Sequence, residues 1–502
     1  MTKINTQATG VQLAGYARLI EQFSLKVIPN WHISMVAQSG SLRSQSTGNT
    51  TMEIFPSSYW PGGALGDHLE FALKYDGTNL AVLAKIFEAM DVPEFTTYVR
   101  SKPTGKYARR LWFFYEWVSG KQLDIEDLTK GNYIELLEPK DYVVASSSKK
   151  ISLQRVTDNL LGNETFCPVV RRTEQMEHSL KNDLQERCQE IIATYPQGQL
   201  KRALSYLYTR ETKSSFEIEH ISPDVNRTER FVSLLKLAET EDFCDKAKLI
   251  DLQNRTVDPR FAAPGYRSSQ NYVGESVAWQ NERVHFVAPK PEDIHTLMGG
   301  LLAAHHKMQE GTLHPVVHAA VLAYGFVFLH PFEDGNGRIH RFLIHNILAC
   351  RGFTPEGLMF PVSAAMLNNP NEYDTSLEAF SADLLPLVEY TLDEEGKMVV
   401  HNETATWYRF MDMTPQTEAL FDFVERTVET ELVAELNFLA SYDKTKAAIQ
   451  EIVDMPDRKI DLFIRLCNQN HGTLSEKKRS AFDLLTDDEL ARMEQAVQDA
   501  YK

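Results

Sequence analysis

Apolar residues recur at three- and four-residue spacing through 180–192, 200–208 and 231–237, the repeat of a helix that buries one face. The same spacing returns over 292–308, 314–329 and 338–351, and again in several stretches beyond about residue 405. Before residue 170 the pattern is mixed. A helix-like LAVLAKIFEAM (80–90) stands beside β-branched or aromatic runs such as YIELLEPKDYVVAS (133–146), and Ser/Gly/Pro-rich stretches, 44–63 among them, read as loops. Between residues 266 and 291, YRSSQNYVGESVAWQNERVHFVAPKP alternates apolar and polar positions about a polar centre, which predicts a β-hairpin.

These patterns predict a mainly α protein: an α+β accessory domain over 1–170, a helical domain over 171–395 carrying the hairpin, and a C-terminal helical domain over 405–502. No internal repeat or low-complexity tract interrupts them. The most apolar run, residues 315–329, is shorter than the ~20 residues that cross a bilayer, so no membrane span is expected. The opening MTKINTQATGVQLAGYARLIEQF lacks the features of a secretory leader, which points to a cytoplasmic protein.

Over 502 residues, Lys plus Arg number 52 against 69 Asp plus Glu, a net charge of −17 that disfavours nucleic acid as a partner. Cys167, Cys188, Cys244, Cys350 and Cys467 are scattered and never spaced as CxxC, which reads as buried reduced thiols and argues against both disulfides and a zinc site.

Chemistry concentrates in HPFEDGNGRIHR, residues 330–341. An imidazole, His330, ends an apolar helix. Gly335 and Gly337 flank Asn336 and permit the backbone turns in which successive N–H groups cradle an anion at the start of the next helix. Arg338 and Arg341, three apart on that helix, share a face suited to phosphate oxygens. Asp334 offers a hard oxygen for Mg²⁺, and His330 is the nearby candidate base. Such parts serve phosphoryl or nucleotidyl transfer, where positioning and charge stabilisation dominate.

The segment resembles the Fic family signature HxFx(D/E)GNGRxxR at His330, Phe332, Asp334, Gly335, Asn336, Gly337, Arg338 and Arg341. Further likeness runs over roughly 200–385, through HPVVHAAVLAYGFVFLH, the hairpin segment and NEYDTSL. The resemblance implies a protein adenylyltransferase. His330 would deprotonate a target hydroxyl that attacks the α-phosphorus of ATP, and Asp334 would hold Mg²⁺. Gly335, Asn336 and Gly337 would bind the phosphates, Arg338 and Arg341 would secure the β- and γ-phosphates, and Phe332 would anchor the loop. The hairpin around Gly274, Val284 and Phe286 resembles the family's flap, which takes a target segment by strand addition. Tyr373 is similar to a family tyrosine near the base pocket.

SSFEIEH matches the inhibitory pattern (S/T)xxxE(G/N) at Ser215 and Glu219, with His220 where Gly or Asn is usual. The resemblance implies that Glu219 pairs with Arg341 and obstructs the γ-phosphate site, or that it helps to remove AMP. Expected partners are ATP and a protein substrate, which includes the chain itself, with a homodimer as the expected assembly. Alternative readings are a Fic-type kinase or other phosphate-group transferase, a nucleotide-sensing binding protein, and a metal hydrolase. Gly337, small beside the phosphates, favours AMP transfer over the first of these.

Overall fold

The computed structural model describes residues 10–48, 50–278, 281–355 and 357–501. It is mainly α-helical with small sheets, and its contacts group into two compact units. One comprises Met1–Asn182, Ser233–Phe353 and Asn369–Phe421; the other comprises Asp183–Val232, Thr354–Asn368 and Asp422–Lys502. Each is assembled from three separate stretches of chain.

In the first unit a four-stranded sheet runs Val11–Leu13, His32–Ala37, Thr50–Phe55, Arg43–Thr47, with the middle pair parallel at His32 opposite Thr51. Residues 44–63, expected as loop, instead supply most of two strands. Gly48 at φ +57° lies between them, and TTMEIF has the β-branched alternation that fits a sheet edge. Helices Leu80–Ala89 and Lys106–Ser119 pack together around Phe95, Leu111, Trp112 and Phe114, all at or below 1% exposure, while the sheet buries Val36 and Phe55 against Ala14 and Phe71. Of the β-branched and aromatic run 133–146, Ile134–Glu135 forms a strand, in a three-stranded sheet.

The N-terminal stretch is locked to the helices that follow it within this unit. Phe166, fully buried, sits against Gly300 and Gly325 on two different helices, where added Cβ atoms would lie 2.7 Å from its Cβ and 3.0 Å from its Cζ. Cys167 N–H donates to the Arg409 carbonyl (2.8 Å) and Val169 N–H to that of Met411 (2.9 Å).

The centre of the unit is the helix Pro315–Leu329, buried on every side, as its nearly unbroken apolar sequence requires. Helices Pro291–Gln309 and Asn336–Cys350 flank it, close to the sequence expectation. The hairpin forms from Tyr272–Ala278 and Asn281–Val287; its tip, residues 279–280, lies outside the described residues. A second short pair, Tyr390–Leu392 with Met398–Val400, was not foreseen.

In the second unit the long helix Gln197–Glu217 is tied to other helices by charge. Glu211, buried, accepts from the Ser363 N–H (2.9 Å) and hydroxyl, and Arg210 pairs with Glu431 and with Glu435 (3.0 Å). Phe216 stacks edge-on against Phe231 at 5.5 Å. The last helices close a separate small core of Ile460, Phe463, Phe482 and Met493, and Thr486 with Glu489 makes a capping box for Asp487–Ala500. Among the described residues no helix is long and apolar enough to cross a membrane.

Candidate active site

His330 caps the helix Pro315–Leu329 in the left-handed conformation, φ 49° and ψ 56°. A non-glycine residue held there carries strain of order 1 kcal/mol that its surroundings must offset. The surroundings are visible. Its N–H closes the helix on the Phe326 carbonyl at 3.0 Å, and its own carbonyl accepts from Arg267 Nε at 2.8 Å. Arg267 is itself buried and donates further to the carbonyls of Ser269 and Pro289, both at 2.6 Å, while its backbone N–H reaches the Pro331 carbonyl at 2.8 Å. One guanidinium thus fixes the His330 turn, the entry to the hairpin and its exit. Burial without a carboxylate partner lowers the guanidinium to about 10.

The imidazole Nδ1 lies 3.2 Å from the Val327 carbonyl. A carbonyl oxygen only accepts, so Nδ1 carries the proton and Nε2 keeps a lone pair. Nε2 makes no hydrogen bond among the described residues. Desolvation, assisted by the Arg267 charge, pulls the imidazole down to about 4, against the smaller opposing influences of Val327 and Asp334. At neutral pH the ring is an uncharged acceptor.

The following loop is anchored from inside. Phe332 is fully buried against Tyr266 and Phe326, ring centres 5.7 and 6.2 Å away. Asn336 spends its side chain on Phe332, accepting from its N–H (3.1 Å) and donating to its carbonyl (2.7 Å). Gly335 stands at φ +88°, where a Cβ would also meet Val257 Cγ1 at 2.8 Å, so both conformation and space require glycine. Gly337 lies in the first turn of the helix Asn336–Cys350 and does not take a positive φ. The N–H groups of that first turn have no helical carbonyl to reach, an arrangement suited to receiving an anion.

Asp334 Oδ1 accepts from the Gly335 N–H (2.6 Å) and from Arg338 (2.9 Å). Its Oδ2 takes neither bond, and the side chain is 46% exposed. Arg338 is fully buried, and besides Asp334 it donates to the Thr256 carbonyl at 3.2 Å. Arg341, also buried, meets the Tyr373 hydroxyl at a long 3.5 Å, which places Tyr373 beside this arginine.

The hairpin reaches His330 through Phe286, whose ring centre is 6.4 Å from that of the imidazole. Gly274 pairs with Val284 at a register shift, where a Cβ would lie 2.7 Å from the Arg283 carbonyl oxygen. Ser215 and Glu219 belong to the other unit. Glu219 caps the end of Gln197–Glu217, with His220 at φ 57°, Ile221 N–H bonded to the Phe216 carbonyl (3.1 Å) and His220 N–H to that of Glu217 (2.8 Å). This is a Schellman turn, whose left-handed position explains why Gly or Asn is usual there; here a histidine fills it.

Sequence reasoning missed Arg267, Asn271 and Gln253. Asn271 Nδ2 donates to the Phe332 carbonyl at 3.2 Å, and Gln253 Nε2 reaches that of Asp334 at 3.3 Å. Polar residues clustered in GYRSSQN were the available signal, overshadowed there by the hairpin's alternation.

Residues 243–348 match the model of the Fic/DOC family, and the chain carries a Fic domain there. The similar curated proteins are named Protein adenylyltransferase Fic. The one from Aedes aegypti is 30% identical over 160 residues, 31% of this chain and 29% of its own length. The one from Nematostella vectensis is 23% identical over 321 residues, 58% of this chain and 70% of its own. The chain thus spans under a third of the Aedes relative. A crystal structure of a Fic family protein from Desulfovibrio desulfuricans G20 superposes with a TM-score of 0.39 at 19% identity, covering 62% of this chain and 87% of that one.

Proposed function

We propose that this chain is a protein adenylyltransferase that moves AMP from ATP to a hydroxyl of a protein, the chain itself included. The observation that carries the reading is His330: neutral, with Nδ1 committed to the Val327 carbonyl and Nε2 left to take a proton. The target oxygen attacks the α-phosphorus, its proton passes to Nε2, and the bond to the β-phosphate breaks to release pyrophosphate. The N–H groups at Gly335, Asn336 and Gly337 receive phosphate oxygens, Arg338 and Arg341 stabilise the leaving phosphates, and Tyr373 positions Arg341. The open Oδ2 of Asp334 suits Mg²⁺, which supplies charge neutralisation on the phosphates when bound. The hairpin offers its edge to the target segment, with Phe286 directing it toward the base. The names of the Aedes and Nematostella relatives support the same activity. Free thiols suit a cytoplasmic setting.

Glu219 is the brake in this reading. The support for this role is the match of SSFEIEH to the family's inhibitory pattern at Ser215 and Glu219. An alternative role for the same carboxylate is to assist removal of AMP. Intact-mass measurement after incubation with ATP and Mg²⁺ tests both activities. A gain of one AMP that is at least tenfold faster in Glu219→Gly supports the reading; a gain of one phosphate, or none in either protein with added candidate targets, contradicts it.

A further inference from the structure

We propose that Asp242, Cys244 and His305 form a site for a divalent ion of the zinc class, distinct from the Mg²⁺ position at Asp334. A carboxylate oxygen, a thiol sulfur and an imidazole nitrogen from these residues all lie within 4.8 Å of one another. Zinc takes this mixture, with bonds of about 2.3 Å to sulfur and about 2.0–2.2 Å to nitrogen and oxygen, which set neighbouring ligand atoms roughly 3–4 Å apart. The absence of CxxC spacing argued against zinc, but here the third ligand stands 63 residues from the first and is supplied by the helix Pro291–Gln309.

The ligands are arranged by the protein around them. Asn346, fully buried on the helix Asn336–Cys350, accepts from the Phe243 N–H (3.1 Å) and donates to the carbonyls of Ala238 (2.9 Å) and Glu241 (2.6 Å), clipping the ligand-bearing segment in place. Asp242 Oδ1 accepts from the Cys244 N–H at 2.9 Å, a turn that brings carboxylate and thiol together. Asp242 Oδ2 meets His305 Nε2 at 3.0 Å.

Behind His305 stands a second imidazole. His305 Nδ1 lies 3.0 Å from His318 Nε2, the relation in which a ligand histidine is oriented through its other nitrogen. His318 is fully buried, and its Nδ1 finds no partner among the described residues. Its hydrogen bonding there is thus confined to orienting His305. Cys244 and His305 are each 1% exposed, whereas the Asp242 side chain is 33% exposed, so the cluster opens on the Asp242 side, where water can complete the coordination. Lys248 lies beside this opening but is engaged by the Asp242 carbonyl (2.8 Å) and Glu241 (3.5 Å). On coordination the Cys244 thiol proton leaves to solvent and the thiolate becomes the ligand.

The full chain, stripped by chelator, is titrated with Co²⁺ alone and then with Zn²⁺. The expected result is one Co²⁺ per chain with a thiolate-to-cobalt charge-transfer band that Zn²⁺ displaces. The band disappears in Cys244→Ser, persists in Cys350→Ser and Asp334→Ala, and needs about ten- to a hundredfold more cobalt in His318→Ala. In the unaltered chain, Zn²⁺ protects Cys244 from alkylation, read by peptide mass mapping, which keeps the test independent of variant folding. No band at one equivalent, no protection of Cys244, or a band that survives Cys244→Ser overturns the proposal.

Discussion

The helix Pro315–Leu329 has a histidine inside its first turns, His318, and another at its end, His330, and both are held neutral by burial. They are fixed in opposite ways. His330 is set by its own backbone three residues earlier and keeps Nε2 without a hydrogen bond among the described residues, next to the turn that starts the following helix. His318 commits Nε2 to His305, on another helix. A depressed pKa therefore does not by itself mark a base. The partner of one ring nitrogen and the openness of the other do.

The largest expected effect separates the two directly. His330→Ala lowers turnover by about 10²–10⁴-fold, the usual contribution of a general base, with little change in thermal unfolding. Retained turnover would remove His330 from the chemistry. Next, Arg267→Ala removes the donor from three carbonyls, that of Pro289 in a buried bond, costing about 3 kcal/mol in denaturant unfolding and reducing kcat together with it. Arg267→Lys restores only part of both, because an ammonium cannot reproduce the fork. Unaltered stability in Arg267→Ala would contradict the stapling role.

A smaller effect concerns pH. The folded value of His330, about 4, lies below the ordinary 6.5, so between these values the unfolded chain binds more protons than the folded one. The contribution of this group to stability is full above pH 6.5 and is lost as pH falls through about 4, while its competence as a base, set by the folded value alone, holds down to about pH 5 and is lost through about 4. Accordingly kcat/KM for ATP stays flat down to about pH 5. An acid limb centred near 6.5 would show an imidazole in ordinary solvent. Smallest is Gly335→Ala, whose positive φ costs about 1–2 kcal/mol and which crowds Val257; it should raise KM for ATP about tenfold with kcat less affected.

What the sequence made legible follows the same division. Residues 330–341 were readable because helix end, turn and helix start are contiguous, and apolar periodicity located the flanking helices to within about two residues. The hairpin was readable from its alternation. The strands within 43–55 were not, since Ser, Thr and Gly there suit a loop as well as an edge strand. Arg267, Asn271 and Gln253 were missed because each acts on backbone atoms more than sixty residues away. Asp242 and His305 were missed for that reason too, and the division of the chain into two discontinuous units rests on pairings such as Glu211 with Ser363 that leave no local pattern.

The most direct test of the central claim is the labelling of protein by ATP carrying ³²P at either the α- or the γ-position, in the unaltered chain, Glu219→Gly and Glu219→Gly/His330→Ala. Label from the α-position alone, strengthened by Glu219→Gly and abolished when His330 is also replaced, is the predicted result. Label from the γ-position, or α-label that survives replacement of His330, would contradict the account.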